Sequence, residues 1–208
     1  SALVFRPGAV EGVARVNRSP HPGLDPRFWA GKRVLLTGHT GFKGAWAALW
    51  LHRLGARVTG LALPPDGLNL YDTLGIERFV PAYHADLRDA AALADVVRAC
   101  EPELVLHLGA QALVPVAHRH PVDTFATNLL GTVHLLDALR DVDGLRAVLI
   151  VTTDKVYLPC PDGTPHRETD RLGGLEPYAA SKAACELATA AMARTYLAPR
   201  GIPVATAR

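Results

Sequence analysis

Three glycines in the segment Thr37-Gly-His-Thr-Gly-Phe-Lys-Gly44 have the spacing to bind a dinucleotide. They are Gly38, Gly41 and Gly44, and they lie between a predicted strand and a predicted helix. We expect Gly38 to make the tight turn, Gly41 to let a pyrophosphate approach the backbone, and Gly44 to let the helix pack on the sheet. The helix N-terminus adds free N–H groups and a partial positive charge for the phosphates. A purely structural turn is the alternative.

Tyr178 and Lys182 have the types and spacing of an acid–base pair. The i, i+4 spacing on a predicted helix places both side chains on one face. An ammonium group beside a phenol lowers the pKa of the phenol from about 10 toward neutral, so the tyrosinate can act as a general base. An exposed lysine beside a core tyrosine is the alternative. We favour the pair because it opens the helix after the fifth predicted strand.

Two further segments follow predicted strands and carry polar side chains. Thr152-Thr-Asp-Lys155 lies at the carboxyl end of the fifth strand, where ligands meet open α/β sheets. Asp86 follows the third strand and is a candidate partner for an adenine amino group. Its alternative role is that of an acid at a helix N-terminus, which the helix dipole favours.

The identity of the dinucleotide follows less directly from the residues. A ribose-binding acid is expected about 20 residues after the glycine loop. The second strand ends Gly60-Leu-Ala-Leu-Pro64 and supplies none. No arginine follows it to hold a 2′-phosphate either, so NAD is favoured and NADP stays open.

The elements that must position these residues alternate between strand and helix patterns. In the first predicted helix, Trp46, Leu49, Trp50 and Arg53 recur at i, i+3, i+4 and i+7, and Gly55 closes the helix. Further helices are predicted over Asp89–Cys100, Pro121–Arg140 and Pro177–Leu197. The predicted strands are Arg33–Thr37, Arg57–Ala62, a weak one near Phe79–His84, Glu103–Leu108, Arg146–Thr152 and Pro203–Ala207.

Strands that alternate with helices in this way require right-handed crossovers and a parallel sheet. The fold class is therefore α/β, a doubly wound Rossmann sheet of about six strands in the order 3-2-1-4-5-6. We expect residues 1–28 to form a flexible arm and residues 29–208 to form the cofactor-binding domain. The polar segment Leu158–Glu176 reads as a surface loop that could cover a substrate.

Composition excludes several function classes. The chain has 208 residues, 22 basic and 20 acidic, without the basic clusters that mark a nucleic-acid or membrane surface. Its 3 cysteines are widely spaced, and no metal-ligand motif occurs. No apolar run approaches the roughly 20 residues of a membrane span, and no signal peptide is apparent. We therefore expect a cytoplasmic protein with no metal site.

These motifs together resemble the extended short-chain dehydrogenase/reductase superfamily and, within it, the CDP-glucose 4,6-dehydratase family. The discriminating strings are His39-Thr-Gly-Phe-Lys-Gly44 and Thr152-Thr-Asp-Lys155, since related dTDP-glucose dehydratases carry Asp-Glu in place of the final Asp-Lys. Ala117-His118 departs from the family's usual Ser-Tyr. The resemblance runs from Phe28 to Arg208 and includes His107-Leu-Gly-Ala-Gln111, Thr127-Asn-Leu-Leu-Gly-Thr132, Thr152-Thr-Asp-Lys-Val-Tyr157 and Pro177-Tyr-Ala-Ala-Ser-Lys182.

The resemblance implies an internal redox dehydration of a nucleotide-linked hexose, CDP-glucose, with tightly held NAD. Tyr178 would take the proton of the 4-hydroxyl group, and Lys182 would lower the pKa of Tyr178 and hold the ribose. Thr153 would hydrogen-bond the 4-oxygen. Asp154 would be the acid at the leaving 6-hydroxyl group and Lys155 the base at C5, giving a 4-keto-6-deoxy sugar.

The resemblance also implies the remaining site residues and partners. A catalytically inactive NAD-binding relative, or an epimerase or reductase of the same superfamily, is the alternative function. The family's C-terminal substrate domain would follow Arg208, so we expect a fragment or cofactor half, inactive alone. It would pair as a homodimer or with a partner that supplies that domain.

The predicted catalytic residues are Thr153, Asp154, Lys155, Tyr178 and Lys182. The predicted cofactor-binding residues are Gly38, Thr40, Gly41, Phe42, Gly44, Asp86, Leu87, Ala110, Gln111, Asn128, Tyr178 and Lys182.

Overall fold

The computed structural model of the protein describes residues 25–160 and 163–208. The predicted arm lies outside the described residues except for its last four. There, Asp25 accepts a hydrogen bond from the Arg27 N–H at 3.0 Å and caps a 3-10 turn, Pro26–Phe28. This turn leads directly into the first strand.

Six strands form one sheet in the order β3-β2-β1-β4-β5-β6, and each pairs in parallel with its neighbours. The predicted fold class and strand order are confirmed. The first two strands have the predicted bounds, and the other four are shorter than predicted because their ends leave the ladder. The strands are β1 Arg33–Thr37, β2 Arg57–Ala62, β3 Ala82–His84, β4 Leu104–His107, β5 Ala147–Val151 and β6 Val204–Ala207.

Helices cover both faces of the sheet. Successive residues of a strand point to opposite faces, so Leu35 belongs to one apolar cluster, with α3 and α6, while Leu36 belongs to another, with α1 and α2. The short helices α2 and α4 were not predicted. The helices are α1 Phe42–Arg53, α2 Leu70–Leu74, α3 Ala90–Cys100, α4 Val114–Arg119, α5 Pro121–Phe125, α6 Gly131–Ala138 and α7 Pro177–Met192.

The first helix is present, but it does not bury the stripe that predicted it. Trp46 and Trp50 are 51% and 61% exposed. The buried face consists of small residues and one leucine, which let the helix lie close to the sheet: Gly44, Ala45, Ala48 and Leu51. Gly55 follows the helix at φ +81°, as its predicted role requires.

Two predicted long helices contain π-helical turns. Residues Ala126–Leu130 join α5 to α6, and residues Ala193–Leu197 follow α7. A π-turn frees backbone carbonyl groups and often marks a functional site. Of the two turns, the first lies beside the carboxyl edge of the sheet.

The strand order reverses between β1 and β4, which places a crevice outside the carboxyl ends of these two strands. The glycine loop follows β1, and the segment Gly109–Gln111 follows β4. Within residues 25–160 and 163–208, no helix has the length and hydropathy needed to cross a membrane.

Candidate functional site

The three loop glycines meet different surroundings. Gly38 has a φ of +74°, and a Cβ there would lie 2.7 Å from the backbone nitrogen of Gly109. A Cβ on Gly44 would lie 2.0 Å from the carbonyl oxygen of Gly38. Gly41 differs because its Cβ would meet only that same oxygen, at 3.3 Å. Packing within the protein thus explains why positions 38 and 44 are glycine. Gly41 is less restricted by the protein, and it lines the crevice.

The crevice is a cleft of about 710 Å³, within the range of ligand-binding clefts. Every predicted cofactor-binding residue lines it except Asn128. Its neighbour Thr127 takes that place. The lining residues named by the sequence are Gly38, Thr40, Gly41, Phe42, Gly44, Asp86, Leu87, Ala110, Gln111, Tyr178 and Lys182.

The N-terminus of α1 faces this cleft. Gly41 is the N-cap residue and has no side chain to accept the first N–H groups of the helix. Phe42, Lys43 and Gly44 line the cleft with it. Free N–H groups and the helix dipole favour a phosphate at such a position. The residues present therefore fit the pyrophosphate of a dinucleotide.

Asn128 supports the cleft from behind. Its side-chain oxygen accepts the Gln111 N–H at 2.8 Å, and its amide nitrogen donates to the Gln111 carbonyl at 3.0 Å and to the Ser181 hydroxyl at 2.9 Å. Its own carbonyl, in the π-turn, accepts hydrogen bonds from Thr132 and Cys185. Asn128 thus ties the cleft wall to α7, although it does not line the cleft.

A buried histidine to which sequence reasoning assigned no role, His107, is the last residue of β4 and faces the last residue of β1, Thr37. The Thr37 hydroxyl accepts the Gly109 N–H at 3.0 Å and donates to His107 Nδ1 at 2.7 Å. His107 Nε2 is 3.0 Å from the Thr132 hydroxyl, which donates to the Asn128 carbonyl. This network assigns the proton to Nε2. Burial lowers the pKa of His107 to about 3, so the ring is neutral.

Tyr178 and Lys182 lie on the first turns of α7, where Glu176 caps the helix by accepting the Tyr178 and Ala179 N–H groups at 2.7 Å. Lys182 is buried, which rejects the alternative of an exposed lysine. Its ammonium group donates to the Val151 carbonyl at 3.0 Å. Burial lowers the pKa of Lys182.

The expectation that Lys182 lowers the pKa of Tyr178 is not realised among the described side chains. Burial of the phenol raises the pKa of Tyr178, and a hydrogen bond with Thr153 opposes this rise. Lys182 is instead engaged with the end of β5. Thr153, rather than Lys182, is thus the described side chain that offsets part of the effect of burial, and the pKa of Tyr178 stays above its ordinary value.

Thr153 opens the 3-10 turn Asp154–Val156 after β5. Its hydroxyl donates to the Asp154 carboxylate at 3.1 Å and accepts the Lys155 N–H at 3.3 Å. Val156 is buried and anchors the turn, whereas Asp154 and Lys155 are exposed. The fold thus brings Thr153 to Tyr178 and leaves the next two residues facing outward.

Sequence reasoning missed Glu186, which lies one helical turn beyond Lys182 on the same face of α7. Its carboxylate accepts the Thr152 hydroxyl at 2.6 Å, the Thr206 hydroxyl at 2.8 Å and two Arg208 nitrogens at 3.0 and 3.1 Å. Arg208 also donates to the Tyr157 hydroxyl at 2.8 Å. These bonds hold both ends of the Thr153–Val156 turn. An acid at i+4 from a buried lysine was the signal that could have indicated it.

His39, in the glycine loop, was also unassigned. Its ring is fully buried, and both nitrogens lack a hydrogen-bond partner among the described residues. It packs edge-on to Tyr71 at 5.4 Å and fills the space where a Cβ on Gly60 would lie. Burial lowers the pKa of His39 to about 4, an effect that nearby His84 adds to.

Asp86 lies in the cleft and outside α3. Asp89 caps that helix by accepting the Ala92 N–H at 3.0 Å, so the alternative role of Asp86 as the helix acid is wrong. Asp86 pairs instead with Arg88 at 2.7 Å, and Arg88 also reaches Asp123 at 3.1 Å. Hydrogen bonds from Arg88 lower the pKa of Asp86.

Comparisons with known proteins agree with this arrangement. A family model described as GDP-mannose 4,6 dehydratase matches residues 35–205. The CDP-glucose 4,6-dehydratase of Salmonella typhimurium is 38% identical over 177 residues, which are 85% of this chain and 49% of that protein. The dTDP-glucose 4,6-dehydratase 1 of Escherichia coli is 32% identical over 80% of this chain and 52% of its own length.

Solved structures share the fold. A complex of Thermus thermophilus UDP-glucose 4-epimerase with NAD has a TM-score of 0.74 and 32% identity, covering 84% of this chain and 53% of that one. The Stenotrophomonas maltophila UDP-glucose 4-epimerase, solved with NAD and formylated UDP-arabinopyranose, has a TM-score of 0.73 and 26% identity, covering 84% of this chain and 52% of its own. The chain spans about half the length of the curated relatives it matches.

Proposed function

The chain belongs to the family whose model is described as GDP-mannose 4,6 dehydratase, and from this membership we propose that it is the NAD-binding part of a nucleotide-sugar 4,6-dehydratase. The substrate we propose is CDP-glucose, and the product is the 4-keto-6-deoxy sugar. Support for this choice comes from the 38% identity with the Salmonella typhimurium enzyme. The observation that carries the proposal is the position of Tyr178 and Thr153 beside the cleft, with Asp154 and Lys155 next to them.

The cleft residues suit NAD. The backbone of Gly41 to Gly44 would hold the pyrophosphate, and Asp86 the adenine amino group. Bound NAD supplies a hydride acceptor at C4 of the sugar and, later in the same turnover, a hydride donor at C6. NAD is proposed over NADP because the end of β2 offers no positive charge for a 2′-phosphate. Leu63 presents only its carbonyl oxygen there, which accepts a hydrogen bond from the Thr40 hydroxyl at 3.1 Å. No arginine follows β2 to neutralise a 2′-phosphate.

Tyr178 is the proposed base for the 4-hydroxyl group. Its phenol is buried at the cleft wall, so its proton can pass only to a group bound in the cleft or to Thr153. An ammonium group has three N–H donors, and Lys182 uses one of them on Val151. The other two are available to a ribose hydroxyl and to the tyrosinate once a ligand fills the cleft. Under this proposal Lys182 assists Tyr178 in the complex, although not in the structure described.

Asp154 and Lys155 are proposed to carry out the elimination. A 4-ketone acidifies the C5 proton, which the Lys155 amine would accept, while Asp154 would protonate the departing 6-hydroxyl group. The two residues are adjacent on one exposed turn, so they can act on neighbouring carbons of one sugar. An epimerase has no step that uses this pair.

The proposal is tested in a chimera that joins this chain to the C-terminal half of the Salmonella typhimurium relative. We expect CDP-glucose to give a 4-keto-6-deoxy product by NMR, which tests whether the residues of this chain carry out oxidation and elimination, since the added half supplies the substrate domain. The 208-residue chain alone should bind NAD without turnover, since Asp154 and Lys155 face outward. A product that keeps its 6-hydroxyl group, with C4 inverted, would instead identify an epimerase.

Lys155→Ala separates the two half-reactions in the same chimera. Because only C5 deprotonation needs this amine, the first oxidation should continue and the reduced cofactor should accumulate with CDP-glucose. Loss of the initial reduction, with normal elimination from a supplied 4-keto intermediate, would place Lys155 in the redox step.

A further inference from the structure

An ion-pair bridge crosses one end of the cleft. The Arg88 guanidinium donates to both oxygens of Asp86, with Nη2 at 2.7 Å from Oδ2 and Nε at 3.1 Å from Oδ1. Its remaining nitrogen, Nη1, donates to Asp123 of α5 at 3.1 Å. All three side chains line the cleft. The bridge therefore joins the loop after β3 to the helix on the other side of the switch point.

Fold stability does not account for this bridge. The side chains of Arg88, Asp86 and Asp123 are 47%, 29% and 62% exposed. Ion pairs with such exposure contribute little to the free energy of unfolding, because water screens the charges and two long side chains lose rotamer freedom. Asp86 is the least exposed of the three, and it is the one that Arg88 contacts in three places. The arrangement orients the Asp86 carboxylate.

We propose that Arg88 is a positioning residue for adenine recognition, holding the Asp86 carboxylate so that a free lone pair faces the purine amino group. This inference rests on the proposed binding of NAD. A carboxylate has about four lone-pair sites, and three N–H groups of Arg88, the backbone N–H, Nε–H and Nη2–H, bind Asp86, which leaves one site for a ligand. Asp123 accepts a hydrogen bond from the other end of the guanidinium, which favours the orientation in which the fork faces Asp86.

The consequence is selectivity between purines. The 6-amino group of adenine donates a hydrogen bond to a fixed carboxylate. Hypoxanthine carries a carbonyl oxygen at the same position, and two acceptors would then face each other. A lysine at position 88 would keep the positive charge but could not grip both oxygens of Asp86 and reach Asp123, because an ammonium group is a compact point charge.

The test compares NAD with nicotinamide hypoxanthine dinucleotide by calorimetric titration of the 208-residue chain. We expect the wild-type chain to favour NAD by about tenfold or more, the value of one hydrogen bond to a charged group. Arg88→Ala should reduce that preference to about threefold or less, and Arg88→Lys should not restore it. Arg98→Ala is the matched control, since it removes an exposed arginine from an ion pair with Asp95 on α3, outside the cleft. The preference of Arg98→Ala for NAD over the hypoxanthine dinucleotide should equal that of the wild type.

Four results would overturn the inference. If Arg88→Ala weakens both dinucleotides equally and Arg88→Lys restores both, Arg88 acts only by charge attraction to the phosphates. If the wild-type chain binds both dinucleotides equally, or if Asp86→Asn keeps the full preference, adenine is not recognised through Asp86. Failure of the wild-type chain to bind either dinucleotide would overturn the proposed function as well, which distinguishes that failure from the other three.

Discussion

The glycine loop and the Thr153–Val156 turn lie at the same edge of the sheet but are held in different ways. At Gly38 and Gly44 the backbone is packed so closely that a single added carbon would overlap it. In the turn, Asp154 and Lys155 are exposed, and between described residues each has one side-chain hydrogen bond, with the Thr153 hydroxyl in both cases. The cofactor side of the site is thus set by closely packed backbone, whereas the proposed sugar-facing side chains are exposed and have few contacts.

Gly44→Ala should have the largest effect, on the cofactor side. The new Cβ would lie 2.0 Å from the Gly38 carbonyl oxygen, and neither backbone can move without lifting α1 from the sheet. We expect a loss of at least about 3 kcal/mol in the free energy of unfolding, measured by urea denaturation. Gly41→Ala is the matched control, because its φ of −76° suits any residue and its Cβ would lie 3.3 Å from the same oxygen. Equal losses in the two variants would contradict the comparison.

Glu186→Ala should have the next largest effect. It tests whether the hydrogen bonds of the Glu186 carboxylate hold the Thr153–Val156 turn in place. It leaves Arg208 and two hydroxyl groups without their carboxylate. We expect a loss of about 2 to 3 kcal/mol, slightly less than for a fully buried pair, since the Arg208 side chain is 19% exposed. Lys155→Ala, on the exposed face of the turn, should stay within about 0.5 kcal/mol of wild type. A comparable loss for Lys155→Ala would show that the turn is held as tightly as the glycine loop.

His39→Leu should change the pH dependence of stability. The pKa of His39 is lowered to about 4 in the folded chain, so unfolding takes up a proton below its ordinary value of 6.5. The stabilisation is complete above pH 6.5 and is lost as the pH falls toward 4, by about 1.4 kcal/mol per pH unit. His39→Leu should remove this slope and leave that of His107. His118→Gln, at an exposed histidine, is the control, and an unchanged slope in His39→Leu would show that His39 is not buried in neutral form.

Regular elements were predicted well where local pattern decides them. The bounds of β1 and β2 match because glycine or proline lies close to both ends of each strand, and these residues interrupt regular structure. The face of α1 was not predicted, because the close approach of helix and sheet favours alanine and glycine over Trp46 and Trp50. The short helices α2 and α4 have too few turns to show periodicity.

Site residues, too, could be predicted where a local motif marks them and could not where tertiary contacts decide their role. The glycine loop could be predicted because its motif is local in sequence, and most of the other cleft-lining residues followed from the resemblance to a known family. The supporting pairs could not, since Thr37 and His107 are 70 residues apart and Glu186 and Arg208 are 22 apart. The pKa of Tyr178 likewise depends on burial and on Thr153, which the spacing within α7 does not reveal. From the i, i+4 spacing alone, Lys182 was predicted to lower the pKa of Tyr178.

The central claim is that this chain holds NAD on the glycine loop, and calorimetric titration of the purified chain and of Gly41→Val tests it most directly. A Cβ on Gly41 would meet only the Gly38 carbonyl oxygen, at 3.3 Å, so we expect valine to be accommodated by a small local shift while its branched side chain blocks the approach of the pyrophosphate. We expect one NAD per wild-type chain and an affinity at least about 100-fold lower in the variant, or about 2.7 kcal/mol, with an unchanged melting temperature. Equal affinities in the two proteins, or no binding to the wild-type chain, would contradict the account.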